Sequence, residues 1–178
     1  MLNSYICLYS TKIREDNNMP RISDIEILQQ IEHPVLFIRS KIRVEDIPKV
    51  IGESFAKLGA YLHELDELLT DVPYVSFPGY ENIDENNMEI VIGFPVGRQL
   101  AAKDDIQSDV IPARKIIFCM YKGDYGKMTE VYNDMGEWIK SNGYESSGTC
   151  YEYYYNGPDY PAEEMLTKVV ISLKEKNI

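Results

Sequence analysis

Between residues 44 and 65 apolar side chains return every three or four positions, at Ile47, Ile51, Phe55, Leu58, Leu62 and Leu65. That is the spacing of one helical face, and it predicts an amphipathic helix. Asp46 stands where an N-cap belongs, and Pro48 falls in the first turn, where no backbone donor is needed. A second stripe, Met128, Val131, Tyr132, Met135, Trp138 and Ile139, predicts a helix over 126–141. Asn142 and Gly143 supply its stop, because glycine reaches the left-handed cap conformation without strain. Apolar runs bounded by turn residues predict strands over 26–42, 72–77 and 88–94 around the first helix. Strands over 107–122, 149–155 and 165–173 are predicted around the second. The first strand of each set carries a proline, Pro34 or Pro112, which predicts a bulge or bend.

The two halves repeat. At an offset of 77, Phe55 falls on Tyr132, Leu58 on Met135, Tyr61 on Trp138, Leu62 on Ile139, Phe77 on Tyr154 and Met88 on Met165. Ahead of the helices the offset is 81, which places Val35, Leu36 and Phe37 on Ile116, Ile117 and Phe118. Four extra residues in the first strand–helix loop account for the difference. The expected fold is α+β: two pseudo-symmetric strand-helix-strand-strand modules, with a mostly antiparallel sheet and helices packed on one side. Sharing one sheet buries more core than either module can alone. Module one runs over 24–96, a join over 97–106 and module two over 107–174, within a domain extending to 178. Residues 1–23 read as a peripheral N-terminal extension, with a linker-like stretch at Asn17–Pro20 and an alternative start at Met19.

Composition narrows the partners. The 178 residues are 44% hydrophobic and 26% charged, an ordinary globular balance, with a formal net charge of −11. Such a surface repels phosphate backbones and anionic membranes, so neither nucleic acid nor membrane is an expected direct partner. The cysteines, Cys7, Cys119 and Cys150, are odd in number and far apart; the histidines, His33 and His63, are isolated. No zinc spacing exists, no metal or other cofactor is expected, and the thiols fit a reduced, cytoplasmic setting. The apolar run after Met1 is too short for a signal peptide. Cys119 and Cys150 read as small buried hydrophobes, and Met88, Met128, Met135 and Met165 as fillers of core gaps.

One acid stands out. In Cys150–Tyr155, CYEYYY, strand alternation places Cys150, Glu152 and Tyr154 on one face and Tyr151, Tyr153 and Tyr155 on the other. Glu152 is either a solvent-facing strand residue or a charge in an aromatic pocket. The repeat bears on the choice, since it aligns Glu152 with Val75 and Tyr154 with Phe77. An acid on a face that is apolar in the other copy needs a partner. No Lys or Arg is near in sequence, so a phenol hydroxyl or a ligand cation remains.

Four segments carry a family resemblance. Tyr121-Lys122-Gly123-Asp124-Tyr125 resembles a G-P-Y approach to a helix, with Asp124 for Pro, and Gly136-Glu137-Trp138-Ile139 supplies a helical tryptophan. Glu152–Pro158 resembles E-x-Y-x-N-D-P with Gly157 for Asp, and Leu166–Leu173 completes the unit. Over 24–174 the chain resembles the GyrI-like (gyrase-inhibitor-like) effector-binding domain, the ligand-sensing module of multidrug-responsive bacterial transcription regulators. The resemblance implies a stand-alone binder of hydrophobic, often cationic, small molecules in a groove between the modules, with Glu152 as counter-charge. No catalytic residue is assigned in this reading. Tyr154 and Phe77 would line the groove. Trp138 and Tyr61 serve as pocket wall or as plain stripe packing, and Tyr121 as groove mouth or as an edge tyrosine. Two alternatives stay open: a slow hydrolase of reactive ring compounds with Glu152 as general base, and a protein-interaction role toward gyrase or a regulator.

Overall fold

The structure, a computed structural model, describes residues 21–157 and 159–174. Eight strands form one antiparallel sheet: β1 (Glu26–Gln30), β2 (His33–Ile42), β3 (Tyr74–Pro78), β4 (Met88–Pro95), β5 (Gln107–Ile111), β6 (Arg114–Lys122), β7 (Ser146–Tyr154) and β8 (Leu166–Leu173). Their spatial order is β1-β6-β8-β7-β3-β4-β2-β5. Two helices, α1 (Ile47–Glu64) and α2 (Thr129–Ser141), pack on the same side. The α+β arrangement is the one expected from the repeat.

The helices form where the stripes lie. In α1, Ile47, Leu58, Tyr61 and Leu62 are buried, while Ile51, Phe55 and Leu65 are partly so. Pro48 sits in its first turn; Asp46 holds the cap position, but its side chain makes no capping hydrogen bond. In α2, Val131, Met135 and Ile139 face the sheet. Gly143 follows at φ 68, the left-handed conformation expected of the stop. Each helix is preceded by a 3-10 turn, over Val44–Asp46 and Tyr125–Lys127, so both α-helices begin about three residues later than the periodicity suggested. Cys119, Cys150, Met88, Met128 and Met135 are buried among these contacts; Met165 is half-buried, and Cys7 lies outside the described residues.

The long first strands need correction. Neither 26–42 nor 107–122 is one bent strand. Each breaks, at 31–32 and at Pro112-Ala113, and the two pieces join different modules. β1 pairs with β6 of module two, and β5 pairs with β2 of module one. Pro112 lies in a break, but Pro34 sits inside β2, paired with Val110. Alternation reports which side of a strand is apolar, not which neighbour it pairs with, so the exchange was invisible in the pattern. Of the expected N-terminal extension, residues 1–20 lie outside the description. Arg21 bridges to Tyr121, and the backbone N–H of Ile22 donates to the carbonyl of Met120 at 2.9 Å.

The modules meet between β3 and β7, where Tyr74 faces Tyr153, Val75 faces Glu152 and Ser76 faces Tyr151. Under the offset of 77, Tyr74 is the mate of Tyr151 and Ser76 of Tyr153, so the first and last pairs exchange. Val75 and Glu152 are mates of each other. The pseudo-twofold axis therefore passes through the Val75–Glu152 pair. Among the described residues no helix is long and apolar enough to cross a membrane.

Candidate functional site

The acid on this axis points to the helix side and is 4% exposed. The Tyr132 hydroxyl donates to its Oε1 at 2.6 Å, and the Tyr154 hydroxyl to its Oε2 at 2.8 Å. The Tyr132 hydroxyl also lies 3.6 Å from the Cys150 sulfur. Among the described residues no lysine or arginine compensates the carboxylate. The open-water alternative is thus excluded for Glu152: it is buried, and its partners are two neutral phenols.

Aromatic rings surround the pair. Tyr154 meets Phe55 of α1 edge-on at 6.5 Å and Tyr125 at 5.6 Å. Phe55 packs on Phe94 at 5.5 Å, and Tyr132 of α2 lies beside Tyr80 at 6.1 Å. Across from Tyr154 on β8, Thr167 is fully buried with its hydroxyl lacking a partner among the described residues. Three pairs of repeat mates are polarised together. Val75, Phe55 and Phe77 in module one become Glu152, Tyr132 and Tyr154 in module two. Each substitution adds the polar atom that the others need: one carboxylate and two donors.

Burial pushes the Glu152 carboxyl above its ordinary 4.5, and the two phenol hydrogen bonds oppose the shift. Burial, then the charges and donors around them, pushes the Tyr132 and Tyr154 hydroxyls well above 10.0, so both remain protonated donors. The sign of the linkage follows. A carboxyl whose folded-state pKa is raised contributes stability that is fully present below the unfolded value of 4.5. That contribution is lost as pH rises through the folded-state pKa. Thermal unfolding of wild type and Glu152→Gln should therefore nearly coincide in pH trend below 4.5 and diverge above it, with the glutamine variant gaining. A constant gap from pH 4 to pH 8 would contradict a buried, strained carboxylate.

The other residues singled out from sequence are dispersed. Phe77 is buried on the same sheet face as Glu152, opposite Cys150. Tyr61 donates to the Ala101 carbonyl at 3.0 Å and carries Lys103 over its ring at 5.3 Å. Trp138 stacks on Tyr144 at 6.0 Å. Tyr121 is fully buried, its hydroxyl bonded to the Asp124 carbonyl. The structure thus gathers Glu152, Tyr154 and Phe77 near the axis and gives Tyr61, Trp138 and Tyr121 separate partners. Tyr132, Phe55, Tyr125 and Tyr80 were missed as site residues. The signal for two of them existed: the repeat aligned Tyr132 with Phe55, and an added hydroxyl beside an added carboxylate is a paired change. Among the described residues no cluster of His, Cys, Asp and Glu could hold a metal ion.

Comparison with known proteins follows the same lines. The model of the GyrI-like small molecule binding domain family matches residues 23–174. A search of curated proteins finds no match. Among solved structures, the chain is similar to EcmrR in the EcmrR-DNA complex in EcmrR-RPo, at a TM-score of 0.73 and 19% identity. The likeness covers 86% of this chain and 58% of that one, so this chain spans little more than half of that EcmrR chain. A hydrolase from Listeria innocua aligns at a TM-score of 0.64 and 11% identity, over 89% of this chain and 94% of that one. SAV2435, solved bound to tetraphenylphosphonium, aligns at 0.58 and 11%, over 85% and 94%. At these identities the likeness is one of fold.

Proposed function

Because the chain belongs to the family of GyrI-like small-molecule-binding domains, we propose that it binds hydrophobic organic cations at its pseudo-twofold axis, with Glu152 as the counter-charge. The observation that carries this reading is a buried carboxylate with no lysine or arginine partner among the described residues, held by Tyr132 and Tyr154, with Phe55 and Tyr125 against Tyr154. Aromatic faces attract a delocalised cation by roughly 0.5–2 kcal/mol each, depending on desolvation. The carboxylate adds attraction that its own desolvation partly offsets. Both phenols already orient toward the carboxylate, so a ligand meets a charge held in place. In this reading the ligand enters between Phe55 of α1 and Tyr132 of α2, and admitting it requires those rings to part. Phe77 packs on the same sheet face as Glu152, whereas Tyr61, Trp138 and Tyr121, held by partners of their own, do not touch ligand in this reading.

The test compares tetraphenylphosphonium with uncharged triphenylphosphine oxide by calorimetry. The cation should bind at least tenfold more tightly. Its binding should release protons at any pH where the free Glu152 carboxyl is still part-protonated, because an arriving cation draws down a raised carboxyl pKa. The apparent enthalpy should then differ between phosphate and Tris buffers. Equal affinities together with buffer-independent heats would sink the proposal. The hydrolase alternative is read from the same samples: turnover of a reactive ring compound that disappears in Glu152→Gln would make Glu152 a general base.

A further inference from the structure

The sheet's other face carries chemistry of the opposite sign. Among the described residues no helix covers it, yet Val35, Phe37, Tyr74, Val91, Tyr153 and Val170 there are buried. The sheet curls, as twisted sheets of this breadth do, so that its own strands shelter this side. Pro112 at the end of β5 and Tyr151 of β7 jointly line a cleft of about 330 Å³, although these strands are not neighbours in the sheet. Its walls combine the apolar Phe37, Tyr74, Val91 and Ile111 with the charged Arg39 and Asp109, a lining of mixed polarity.

Two cations stand over adjacent tyrosines on this face. Arg114 lies 4.1 Å from the centroid of Tyr151, and its Nη1 donates to the Tyr151 hydroxyl at 2.6 Å. Lys168 lies 4.4 Å from the centroid of Tyr153, and the two rings stack 6.5 Å apart. Lys168 has Asp71 at 3.6 Å. Arg114 donates from Nε to the Gln30 oxygen at 3.0 Å, and no carboxylate among the described residues pairs with it. Its Nη2 is buried without a hydrogen-bond partner among those residues. A buried guanidinium nitrogen left unmatched is costly, and the cost vanishes when an anion accepts from it. In a chain of net charge −11, an arginine with no carboxylate partner among the described residues, beside a lysine and next to a cleft with aromatic walls, is a local reversal of sign.

We propose that this face binds a flat organic anion, an aromatic carboxylate, independently of the cation site across the sheet. Arg114 and Lys168 hold the carboxylate, Arg114 through the Nη2 that its planar guanidinium keeps clear of Gln30 and Tyr151. The aromatic body lies in the cleft against Tyr151 and Tyr74. A cleft of this size suits a small ligand with one anchored polar group and an apolar remainder. An inorganic anion would leave the Phe37, Tyr74 and Val91 part of the wall unused, which is why the anion is assigned a ring. The Glu152 carboxylate projects from the same strand to the opposite side, so the two sites differ in charge and do not overlap.

The probes are 2-naphthoate and its neutral counterpart 2-naphthylmethanol, titrated by fluorescence into the full chain. Naphthoate should bind at least tenfold more tightly than the alcohol. Arg114→Gln should remove that difference by weakening the acid and leaving the alcohol unchanged, and Lys168→Gln should reduce it. Saturating tetraphenylphosphonium should not displace naphthoate. Circular dichroism checks each variant; if Arg114→Gln does not fold, Lys168→Gln and the wild-type acid-to-alcohol ratio decide. Failure of naphthoate to bind, equal affinities for acid and alcohol, or displacement by the phosphonium would each overturn the proposal.

Discussion

Glutamine in place of Glu152 is expected to cut the affinity for tetraphenylphosphonium roughly thirtyfold at pH 7 while raising the melting temperature of the free protein. The first effect is the loss of a desolvated counter-charge, worth about 2 kcal/mol for one partner of a buried pair. The second has the opposite sign because the free protein holds the carboxylate without a cation. The amide keeps the shape and can still accept from one phenol. The Tyr132 hydroxyl can turn toward the Cys150 sulfur, 3.6 Å away. A gain of about 1 kcal/mol moves the melting temperature of a domain this size by roughly 2–4 °C. Calorimetric titration and scanning of the same preparation read both effects. A variant that binds the phosphonium as wild type does, or that melts lower, contradicts the assignment of Glu152 as a counter-charge held under strain.

Alanine at Gly93 is expected to destabilise the fold by about 3 kcal/mol or more, the upper range of overpacking effects. Gly93 of β4 pairs directly with Tyr74 of β3, and the tyrosine ring lies across the glycine. A Cβ added there would come under 3.0 Å from the ring carbon Cζ and the hydroxyl of Tyr74. The ring cannot step aside. It is buried between Tyr151 at 5.7 Å and Tyr153 at 5.5 Å. Urea unfolding of Gly93→Ala should show the loss, and Gly93→Ala combined with Tyr74→Leu should recover part of it, since the clash belongs to the pair. A single variant within 1 kcal/mol of wild type would mean that the tyrosine shelf over the cleft yields easily.

Much of this architecture was legible beforehand because it is written in local periods. Leu58 and Leu62, Met135 and Ile139 recur at helical spacing, and both stripes do pack on one sheet face. The internal repeat was legible too: β1 and β5 begin and end at residues offset by 81, as do the starts of β2 and β6. The acid was legible as an anomaly, since it stands where its mate is Val75. Its donors were less so. Tyr132 carries the same stripe period as a core residue, and nothing in a helical pattern tells a phenol that reaches a carboxylate from one that only packs. Trp138, the repeat mate of Tyr61, stacks on Tyr144, a contact that its stripe position does not reveal.

By itself, the order of residues determined where helices and strands form, that the chain doubles one unit, and that the later copy alone bears an acid on an apolar face. Those features depend on neighbours three, four or two positions apart, whose side chains share a surface whatever the rest of the molecule does. Only the folded whole decided that β1 and β5 cross to the opposite module, that Val75 and Glu152 meet on the axis, and that Arg114 and Lys168 gather over tyrosines on the far side. Such meetings join residues dozens of positions apart. They arise from strand pairing and sheet curl, which a one-dimensional pattern of apolar and polar positions does not encode.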